Sequence, residues 1–257
     1  MKKPRPKTYM KYLALFVLGV SALAARDLKS GYFRGRPVTY EVINGDAVTE
    51  GDIVLGTAEE MAVSRPDAGT RAKTVSHEAI DVTTTTRRWP GGVIPYTVDS
   101  DVPDKKRITD GIQHWIDNTG LSLVPRTSEA NYVRFSRFTG AGDVCGNSQV
   151  GMAGRGAQRI NLADDCDSST VIHEIGHAVG LFHEQTRQDR DFYVRVLYNN
   201  MDKTQVSQFD QQISAGQDLG SYDYGSVMHY SNFAFSRNGE ATLESIPAGI
   251  PFRADTG

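Results

Sequence analysis

The chain has 257 residues, of which 39% are hydrophobic and 23% charged, and a formal net charge of −3. This composition is ordinary for a soluble globular protein, and the slight acidic excess disfavours a nucleic-acid-binding protein, which usually carries a basic excess. The length accommodates one sizeable domain with additional sequence, or two small domains.

The N-terminus has the layout of a secretory signal peptide. Five basic residues lie within the first eleven positions, the apolar run YLALFVLGVSAL follows at residues 12–23, and residues 22–24 (ALA) offer a small-x-small cleavage site. The run is shorter than the roughly 20 apolar residues that a membrane-spanning helix needs, which disfavours a membrane anchor. We therefore predict that residues 1–24 are a signal peptide and that the protein is secreted, to an extracellular or periplasmic location.

Residues 25–60 contain short apolar runs and are predicted to form a small, weakly structured segment. The stretch from 62 to 88 is poor in large apolar side chains and rich in Thr, Ser, Ala and basic residues. Such a stretch cannot bury enough surface to order itself, and we predict an exposed linker that is open to proteolysis. The candidate cleavage sites are Arg65, Arg71, Lys73, Arg87 and Arg88.

The main domain begins near Trp89 and opens with a mixture of strands and helices. Residues 93–98, 132–138 and 158–162 read as strands. Apolar residues in the stretch 108–116 recur with the spacing of one helix face. Strands that precede a helix bearing a metal motif indicate a mixed α+β domain.

A second helix is predicted from about Thr170 to Val179, with Ser168 or Ser169 as its N-cap. Within it, residues 173–177 (HEIGH) fit the pattern H-E-x-x-H. Positions four apart lie on one helix face, so that both imidazoles can reach one zinc ion. Glu174 is rotated by about 100° from the first histidine, and it can hold a water molecule and take its proton without binding the metal. A bare match of this kind also fits a helix with two surface or core histidines.

Gly180 and His183 extend the motif to the eleven-residue H-E-x-x-H-x-x-G-x-x-H signature. A third ligand six residues after His177 requires a sharp turn, and Gly180 permits the positive φ of a helix C-cap. Three protein ligands leave one position open, which distinguishes catalytic from structural zinc. The prediction is one Zn²⁺ per chain, bound by His173, His177 and His183.

Residues 226–230 (SVMHY) form the second candidate element of the site. Met228 is expected to pack beneath the histidines without binding zinc, because methionine fills irregular gaps. Tyr230 admits two interpretations. Its phenol can donate to a developing oxyanion, or it is a buried structural tyrosine.

The two cysteines, Cys145 and Cys166, are predicted to form a disulfide, because a secreted chain meets an oxidising compartment. The bridge closes a loop of about 20 residues, which is worth about 3 kcal/mol by the loop-entropy estimate. The alternative is a pair of free, buried thiols.

These motifs resemble the astacin family of zinc metalloendopeptidases, in the metzincin clan. The resemblance rests on residues 173–191 (HEIGHAVGLFHEQTRQDRD), 222–230 (YDYGSVMHY) and 89–96 (WPGGVIPY), and it covers most of residues 89–245. It implies a metzincin-type protease domain with a twisted, mostly parallel sheet that carries an antiparallel edge strand, an active-site helix and a loop-rich C-terminal part. The strand at 158–162 would be the edge that pairs with an extended substrate.

The resemblance also implies an activity, the hydrolysis of internal peptide bonds of proteins by a water molecule on zinc. Glu174 would act as general base and then acid, and Tyr230 would be a switchable fifth ligand that stabilises the transition state. Glu184 would hold the new N-terminus of the cut enzyme, and Cys145 and Cys166 match a family disulfide. The alternative function is that of a non-catalytic or decayed secreted zinc-binding module.

Residues 50–53 (EGDI) resemble the family's pro-segment motif, in which the aspartate binds zinc in place of the catalytic water. Asp52 would then be an inhibitory ligand, although Gly-Asp by itself signals no more than a turn. The resemblance divides the chain into a signal peptide (1–24), a pro-segment with activation linker (25–80) and an astacin-like catalytic domain (81–257). This domain is expected to be shortened at its C-terminus, because the family carries a further helix there. The expected partners are a protein or peptide substrate and an activating protease, and the protein is expected to be a monomer.

Overall fold

The structure is a computed structural model, in which residues 27–33, 36–63, 87–139, 144–212 and 216–253 are described. We refer to the described residues up to 63 as the N-terminal segment and to those from 87 onward as the main region. The predicted signal peptide lies outside the described residues, as do the candidate cleavage sites Arg65, Arg71 and Lys73.

The N-terminal segment is a four-stranded antiparallel meander with a short helix. Its elements are β1 (Lys29–Phe33), β2 (Arg36–Ile43), β3 (Asp46–Thr49), β4 (Ile53–Thr57) and α1 (Ala58–Val63). The strands enclose a small apolar core, into which Val150 and Phe182 of the main region also pack. The expectation of a weakly structured segment was therefore wrong, because short strands that each bury a few residues combine into one core.

The main region supplies the larger part of the sheet and two long helices. Its elements are β5 (Val93–Val98), α2 (Lys105–Asn118), β6 (Ser122–Pro125), β7 (Tyr132–Arg137), β8 (Gly146–Ser148), β9 (Ala157–Leu162), α3 (Ser168–Val179), β10 (Val194–Val196) and β11 (Leu243–Ser245). The three strands predicted in this region match β5, β7 and β9 to within one residue at each end.

A nine-stranded sheet joins the two parts in the order β1-β2-β3-β4-β8-β9-β7-β5-β6. β5, β6, β7 and β9 are mutually parallel, whereas β8 runs antiparallel to β9. The strands of the main region therefore confirm the predicted α+β class with a mostly parallel sheet and an antiparallel strand at its edge. The edge was assigned to the wrong strand, however. β9 lies inside the sheet, and the main-region strand nearest the N-terminal segment is the three-residue β8, along which β4 lies in parallel.

Helices α2 and α3 pack together against the sheet and form the main core with it. Their close approach depends on Gly111 of α2, where a Cβ atom would lie 2.6 Å from Cγ1 of Val171 on α3. Ile108 and Ile112 face this core and Trp115 packs against it, as the predicted helix face requires, but Ile116 of the same predicted face is exposed. The packing fixes the position of α3, which carries the metal motif.

Beyond α3 the chain is rich in loops, as predicted. Short 3₁₀ turns lead to β10, which pairs with β11 in a separate two-stranded ladder. A second core of the main region, rich in aromatic side chains, supports this part and includes Phe209, Tyr222 and Phe252. Among the described residues, no helix has both the length and the apolar character that crossing a bilayer requires.

Candidate active site

Helix α3 begins at a cap that differs from the predicted one. Asp167, not Ser168 or Ser169, is the N-cap, and its carboxylate accepts hydrogen bonds from the backbone N–H groups of Ser169 and Thr170 at 2.9 and 3.2 Å. Ser168 is the first helical residue. A carboxylate also complements the positive end of the helix dipole, which a serine hydroxyl does less well.

Two indole side chains brace the helix from the main core. Trp89 Nε1 donates to the carbonyl of Ala178 at 2.8 Å, and Trp115 Nε1 donates to the carbonyl of Ile172 at 2.9 Å. These bonds satisfy carbonyl oxygens near the end of α3 and beside its first histidine. The helix is thereby held at both ends of the motif.

The helix ends in a sharp turn at Gly180, which has φ 121°. Its N–H donates to the carbonyl of His177 at 2.8 Å, and the N–H of Leu181 donates to that of Gly176 at 3.0 Å. A side chain at position 180 would strain this backbone, because residues other than glycine rarely adopt such a φ. The turn reverses the chain, and it brings His183 back towards the helix.

Each of the three histidines has one ring nitrogen held by a hydrogen-bond acceptor. Nδ1 of His173 lies 2.8 Å from the carbonyl of Val227, and Nδ1 of His177 lies 2.8 Å from that of Leu181. Nδ1 of His183 lies 3.0 Å from Oε2 of Glu50. Because carbonyl and carboxylate oxygens accept, each Nδ1 must donate, and each Nε2 is left with its lone pair available for a metal.

The three Nε2 atoms converge on one point, together with the carboxylate of Asp52. Nε2 of His173 lies 3.1 Å from that of His177 and 3.3 Å from that of His183. The oxygens of Asp52 lie 3.2–3.4 Å from the three nitrogens. A tetrahedral site with bonds of about 2.0–2.1 Å places its donor atoms about 3.3 Å apart. The four residues therefore have the spacing of a single zinc site.

The donor chemistry also fits a cation at this point. Three neutral lone pairs and a carboxylate repel one another unless a positive charge lies between them. Within the described part of the chain, the buried Oδ1 of Asp52 accepts no hydrogen bond of good geometry, although two imidazoles are close. Burial opposes the ionisation of Asp52, but the charge of His183 and the contacts with His173 and His177 hold its pKa well below the usual value. These four residues form a group that could hold one metal ion.

The pKa values of His177 and His183 are shifted in opposite directions. Burial lowers the pKa of His177 to about 4, so that this ring is neutral. Burial acts in the same sense on His183, but the nearby carboxylates of Asp52 and Glu50 outweigh it and raise the pKa to about 9. The cluster therefore stabilises positive charge at its centre, as a proton on His183 or as a metal ion.

Glu174 lies beside this group and is fully enclosed. Its side chain is 2% exposed, and Oε2 has no hydrogen-bond partner among the described residues. Burial and, secondarily, the charge of Asp52 raise its pKa well above the usual value. On its other side lies Gly146 of β8, where a Cβ would approach Oε1 of Glu174 to 3.0 Å. The carboxyl group thus lies between the metal-binding group and the edge strand.

Met228 packs directly against α3, the helix that carries the metal motif. A Cβ atom at Gly176, which lies between the two helical histidines, would come within 2.5 Å of the sulfur of Met228. Met228 is buried, and its carbonyl accepts a hydrogen bond from the N–H of Glu184 at 3.0 Å. It thus links the floor of the site to the residue after His183.

Tyr230 lies against the third histidine. Its ring centroid is 4.5 Å from that of His183, and its hydroxyl donates to the carbonyl of Glu50. Burial raises the pKa of Tyr230 well above its usual value, and the charges of Asp52 and Glu50 raise it further. The phenol therefore keeps its proton and remains a hydrogen-bond donor.

Glu184, directly after the third histidine, faces away towards a polar network. Its Oε1 accepts from the N–H of Asp223 at 2.9 Å and lies 3.4 Å from Nη1 of Arg187. Burial raises the pKa of Glu184. The side chain of Glu184 is thus engaged by other residues of the main region.

The predicted disulfide between Cys145 and Cys166 is confirmed. Cys145 directly precedes β8, and its carbonyl accepts from the N–H of Ala163 at 2.8 Å. Arg107 of α2 donates to the carbonyls of Ala163 and Cys166. The bridge therefore fastens the edge strand to the loop that leads into α3.

Sequence reasoning missed two residues of the site, Glu50 and Gln212. Glu50 is 2% exposed and contacts His183, and the amide of Gln212 donates to its second oxygen. Glu50 belongs to the EGDI motif, and an acidic residue two positions before Asp52 was a signal that it could share the site. Gln212 lies in a polar loop, where no sequence pattern distinguishes it.

Comparison with known proteins gives a consistent result. Residues 81–251 match the model of the peptidase family described as Astacin. The chain is 31% identical to the zinc metalloproteinase nas-8 of Steinernema carpocapsae over 257 residues, which covers 89% of this chain and 60% of that protein. It is 38% identical to the Tolloid-like protein 2 of Mus musculus over 199 residues, covering 74% and 19%. The chain thus spans less than two thirds of the length of these relatives.

A solved structure shows the same fold. The high choriolytic enzyme 1, a hatching-enzyme zinc protease of Oryzias latipes, aligns with a TM-score of 0.56 at 28% identity, over 66% of this chain and 86% of that one. Zinc is named for the nas-8 proteinase and for the hatching enzyme, and together with the group that could hold one metal ion this confirms the predicted cofactor, one Zn²⁺ per chain. The chain therefore belongs to the astacin family of peptidases.

Proposed function

We propose that this protein is a secreted zinc-dependent endopeptidase that is made as an inactive precursor. The observation that carries the proposal is the convergence of three Nε2 atoms, from His173, His177 and His183, on one point beside the buried carboxyl group of Glu174. Each ring is held by its own acceptor at Nδ1, so the arrangement is preorganised. Membership of a family of zinc proteases supports hydrolysis as the reaction.

Zinc, when bound by the three histidines, acidifies water and polarises a carbonyl group. Glu174 then takes a proton from the attacking water, and it returns that proton to the leaving amine. Its burial favours this role, because a raised pKa brings a carboxyl group closer to the working pH of a proton shuttle. Tyr230, which keeps its proton, donates a hydrogen bond to the oxyanion of the scissile carbonyl.

In the precursor the N-terminal segment occupies the two places that a substrate must reach, which are the metal position and the edge of the sheet at β8. Asp52 fills the fourth position beside the three histidines. β4 lies along β8, where Ile53 pairs with Ser148 and the N–H of Ser148 donates to the carbonyl of Asp52 at 2.9 Å. An extended substrate would need this same edge for main-chain hydrogen bonds. The segment therefore excludes substrate from the metal and from the sheet edge together.

Activation requires a cut between the two parts. Of the candidate cleavage sites, Arg88 is exposed, whereas Arg87 is half-buried and its carbonyl accepts from the N–H of Met152 at 2.8 Å. A cut in the linker by an activating protease releases the segment with Asp52. The polar network around Glu184 then receives the new N-terminus, for which a half-buried carboxylate is a suitable partner. Protein or peptide chains are the substrates, and the disulfide suits an oxidising, extracytoplasmic location.

The test is a casein-cleavage assay on the purified chain and on Asp52→Ala, each with and without a zinc chelator. We expect Asp52→Ala to cleave casein without a prior cut, and the chelator to abolish that activity. Glu59→Ala, which removes an exposed carboxylate of the same segment, is the matched control and should stay latent. An Asp52→Ala chain that stays as latent as the control would contradict the switch. Chelator-resistant cleavage would contradict the zinc mechanism.

A further inference from the structure

We propose that Glu50 is a positioning residue that secures the zinc ion through His183 for as long as the N-terminal segment is docked. This inference rests on the function proposed above, and it concerns metal retention, not hydrolysis. It assigns to the segment a second task beside inhibition. The segment blocks the site with Asp52 and completes it with Glu50.

The three histidines differ in the origin of the acceptor that holds Nδ1. His173 and His177 donate to backbone carbonyls of the main region, those of Val227 and Leu181. His183 donates to Glu50, a side chain of the N-terminal segment, at 3.0 Å. The main region therefore fixes two of its three ligands by itself and receives the partner for the third from a removable part.

The contact between Glu50 and His183 is buried and hydrogen-bonded, as contacts in a stable protein core are. Glu50 is 2% exposed and His183 1%. Both carboxylate oxygens are occupied, Oε2 by Nδ1 of His183 and Oε1 by the amide of Gln212. Both oxygens of Glu50 therefore serve as hydrogen-bond acceptors. A carboxylate in this position fixes the tautomer and ring orientation of a metal ligand, and it raises the basicity of that ligand.

The backbone at Glu50 is strained to make this contact. Glu50 has φ 50°, in the left-handed region that residues other than glycine seldom adopt, and Gly51 follows with φ 81°. The strained turn directs three groups at the site: the side chain of Glu50 at His183, its carbonyl at Tyr230, and the carboxylate of Asp52 at the metal position. Strained backbone persists where the surroundings enforce it, and it is concentrated at functional sites.

Release of the segment would leave Nδ1 of His183 without this acceptor. The precursor should therefore hold zinc more tightly than its Asp52 ligand alone explains. The metal is best loaded before the cut, while Glu50 and Gln212 still hold the third histidine in place. Loss of an outer-shell partner of this kind typically weakens metal affinity about 10- to 100-fold.

The test measures zinc affinity of the uncut chain by competition with a chromogenic chelator, with no substrate present. Glu50→Gln keeps the volume and removes the charge, and Glu50→Ala removes the contact. We expect Kd for zinc to rise in both, by about 10- to 100-fold in Glu50→Ala and by less in Glu50→Gln. The matched control is Glu41→Gln, a carboxylate of the same segment that accepts from Gln205 of the main region at 3.3 Å. Its Kd should equal that of the wild type.

The outcomes separate this inference from the proposed function. Unchanged Kd in both Glu50 variants, with zinc still bound at one ion per chain, overturns the inference and leaves the protease assignment standing. Failure of the wild-type chain to bind zinc overturns both. An equal rise in Glu41→Gln also contradicts the inference, because it would trace the effect to docking of the segment. Should Glu50→Ala not fold, Glu50→Gln decides the question alone.

Discussion

The N-terminal segment and the main region meet at the same metal-binding group, but they hold their contributions to it in different ways. The main region places two histidines on a helix that is capped by Asp167 and braced by two tryptophans, and it returns the third through one glycine turn. The segment brings Asp52 on a strained turn and joins the sheet at the pair of Ile53 with Ser148. The three histidines are thus held by the packing of the main region itself, whereas Asp52 belongs to a segment that packs against that region.

Under the proposed function, the N-terminal segment must be folded and yet separable from the main region. The two parts share an apolar cluster, and they are also joined by local, polar contacts such as the exposed ion pair of Arg155 with Glu60. Exposed pairs of this kind contribute about 0–1 kcal/mol. The main core consists of residues of the main region alone, so the proposed release of the segment would leave that core intact.

The largest effect is expected for Glu174→Gln in the main region. In an Asp52→Ala background, turnover should fall by about 10²–10⁴-fold, because the proton shuttle is lost. Zinc content should not change, because the three histidines and their acceptors are untouched. Casein cleavage and metal analysis on the same sample check both statements. Unchanged turnover would contradict the role of Glu174 as the proton shuttle. Loss of zinc would show that Glu174 supports the metal site structurally.

The disulfide comes next, and it lies wholly in the main region. Replacing both Cys145 and Cys166 by alanine opens a loop with a sequence separation of 21 residues. We expect the free energy of unfolding to fall by about 3 kcal/mol. Urea denaturation of the double variant and of the wild type, both uncut, measures it. A change below about 1 kcal/mol would mean that hydrogen bonds such as those from Arg107 fix the loop without the bridge.

Packing of α2 on α3 supplies a smaller effect. In Gly111→Ala the new Cβ would lie 2.6 Å from the stiff side chain of Val171. Overpacking costs about 1–3 kcal/mol and replacing a helical glycine gains about 1 kcal/mol, so the expected net loss of stability is about 0–2 kcal/mol. Gly120→Ala, whose Cβ would meet no described atom within 4 Å, is the control. Equal stability of the two variants would show that the helices separate freely, and that α3 is not rigidly placed.

An effect of similar size is expected in the segment, for Gly51→Ala. Gly51 has φ 81°, and a Cβ there would lie 3.1 Å from Phe235 of the main region. A loss of about 1–2 kcal/mol in docking corresponds to about 5- to 30-fold more open precursor, which residual casein cleavage by the uncut chain reports. Gly45→Ala has a similar backbone, φ 89°, but its Cβ would have none of the described atoms within 4 Å. Equal residual casein cleavage by both variants would show that the effect arises within the segment and not from the contact with Phe235.

The two parts also differ in how far the sequence predicted them. The geometry of the metal site could be predicted from the histidine motif. Two ligands four residues apart on a helix, with a glycine before the third ligand, allow few other arrangements of the three rings. The strand at 93–98 was predicted correctly because its β-branched residues and flanking glycines are local signals. β8 was not predicted, because three small or polar residues carry no pattern, and they become a strand by pairing with β9.

The errors have a common physical origin in long-range contacts. The N-cap was assigned to a serine because both residue types cap helices, and local sequence does not rank Asp167 above its neighbours. The segment appeared weakly structured because each of its strands is short, and the core that stabilises them includes Val150 from the main region. Glu50 and Gln212 meet across 162 positions, which no local pattern encodes.

The measurement that tests the account most directly is anomalous diffraction at the zinc edge from crystals of the uncut chain. We predict one zinc ion per chain, bound by Nε2 of His173, His177 and His183 and by a carboxylate oxygen of Asp52, at about 2.0–2.2 Å. Zinc held elsewhere, or held by the histidines with Asp52 turned away, would contradict the account of a metal site shared between a permanent and a removable part.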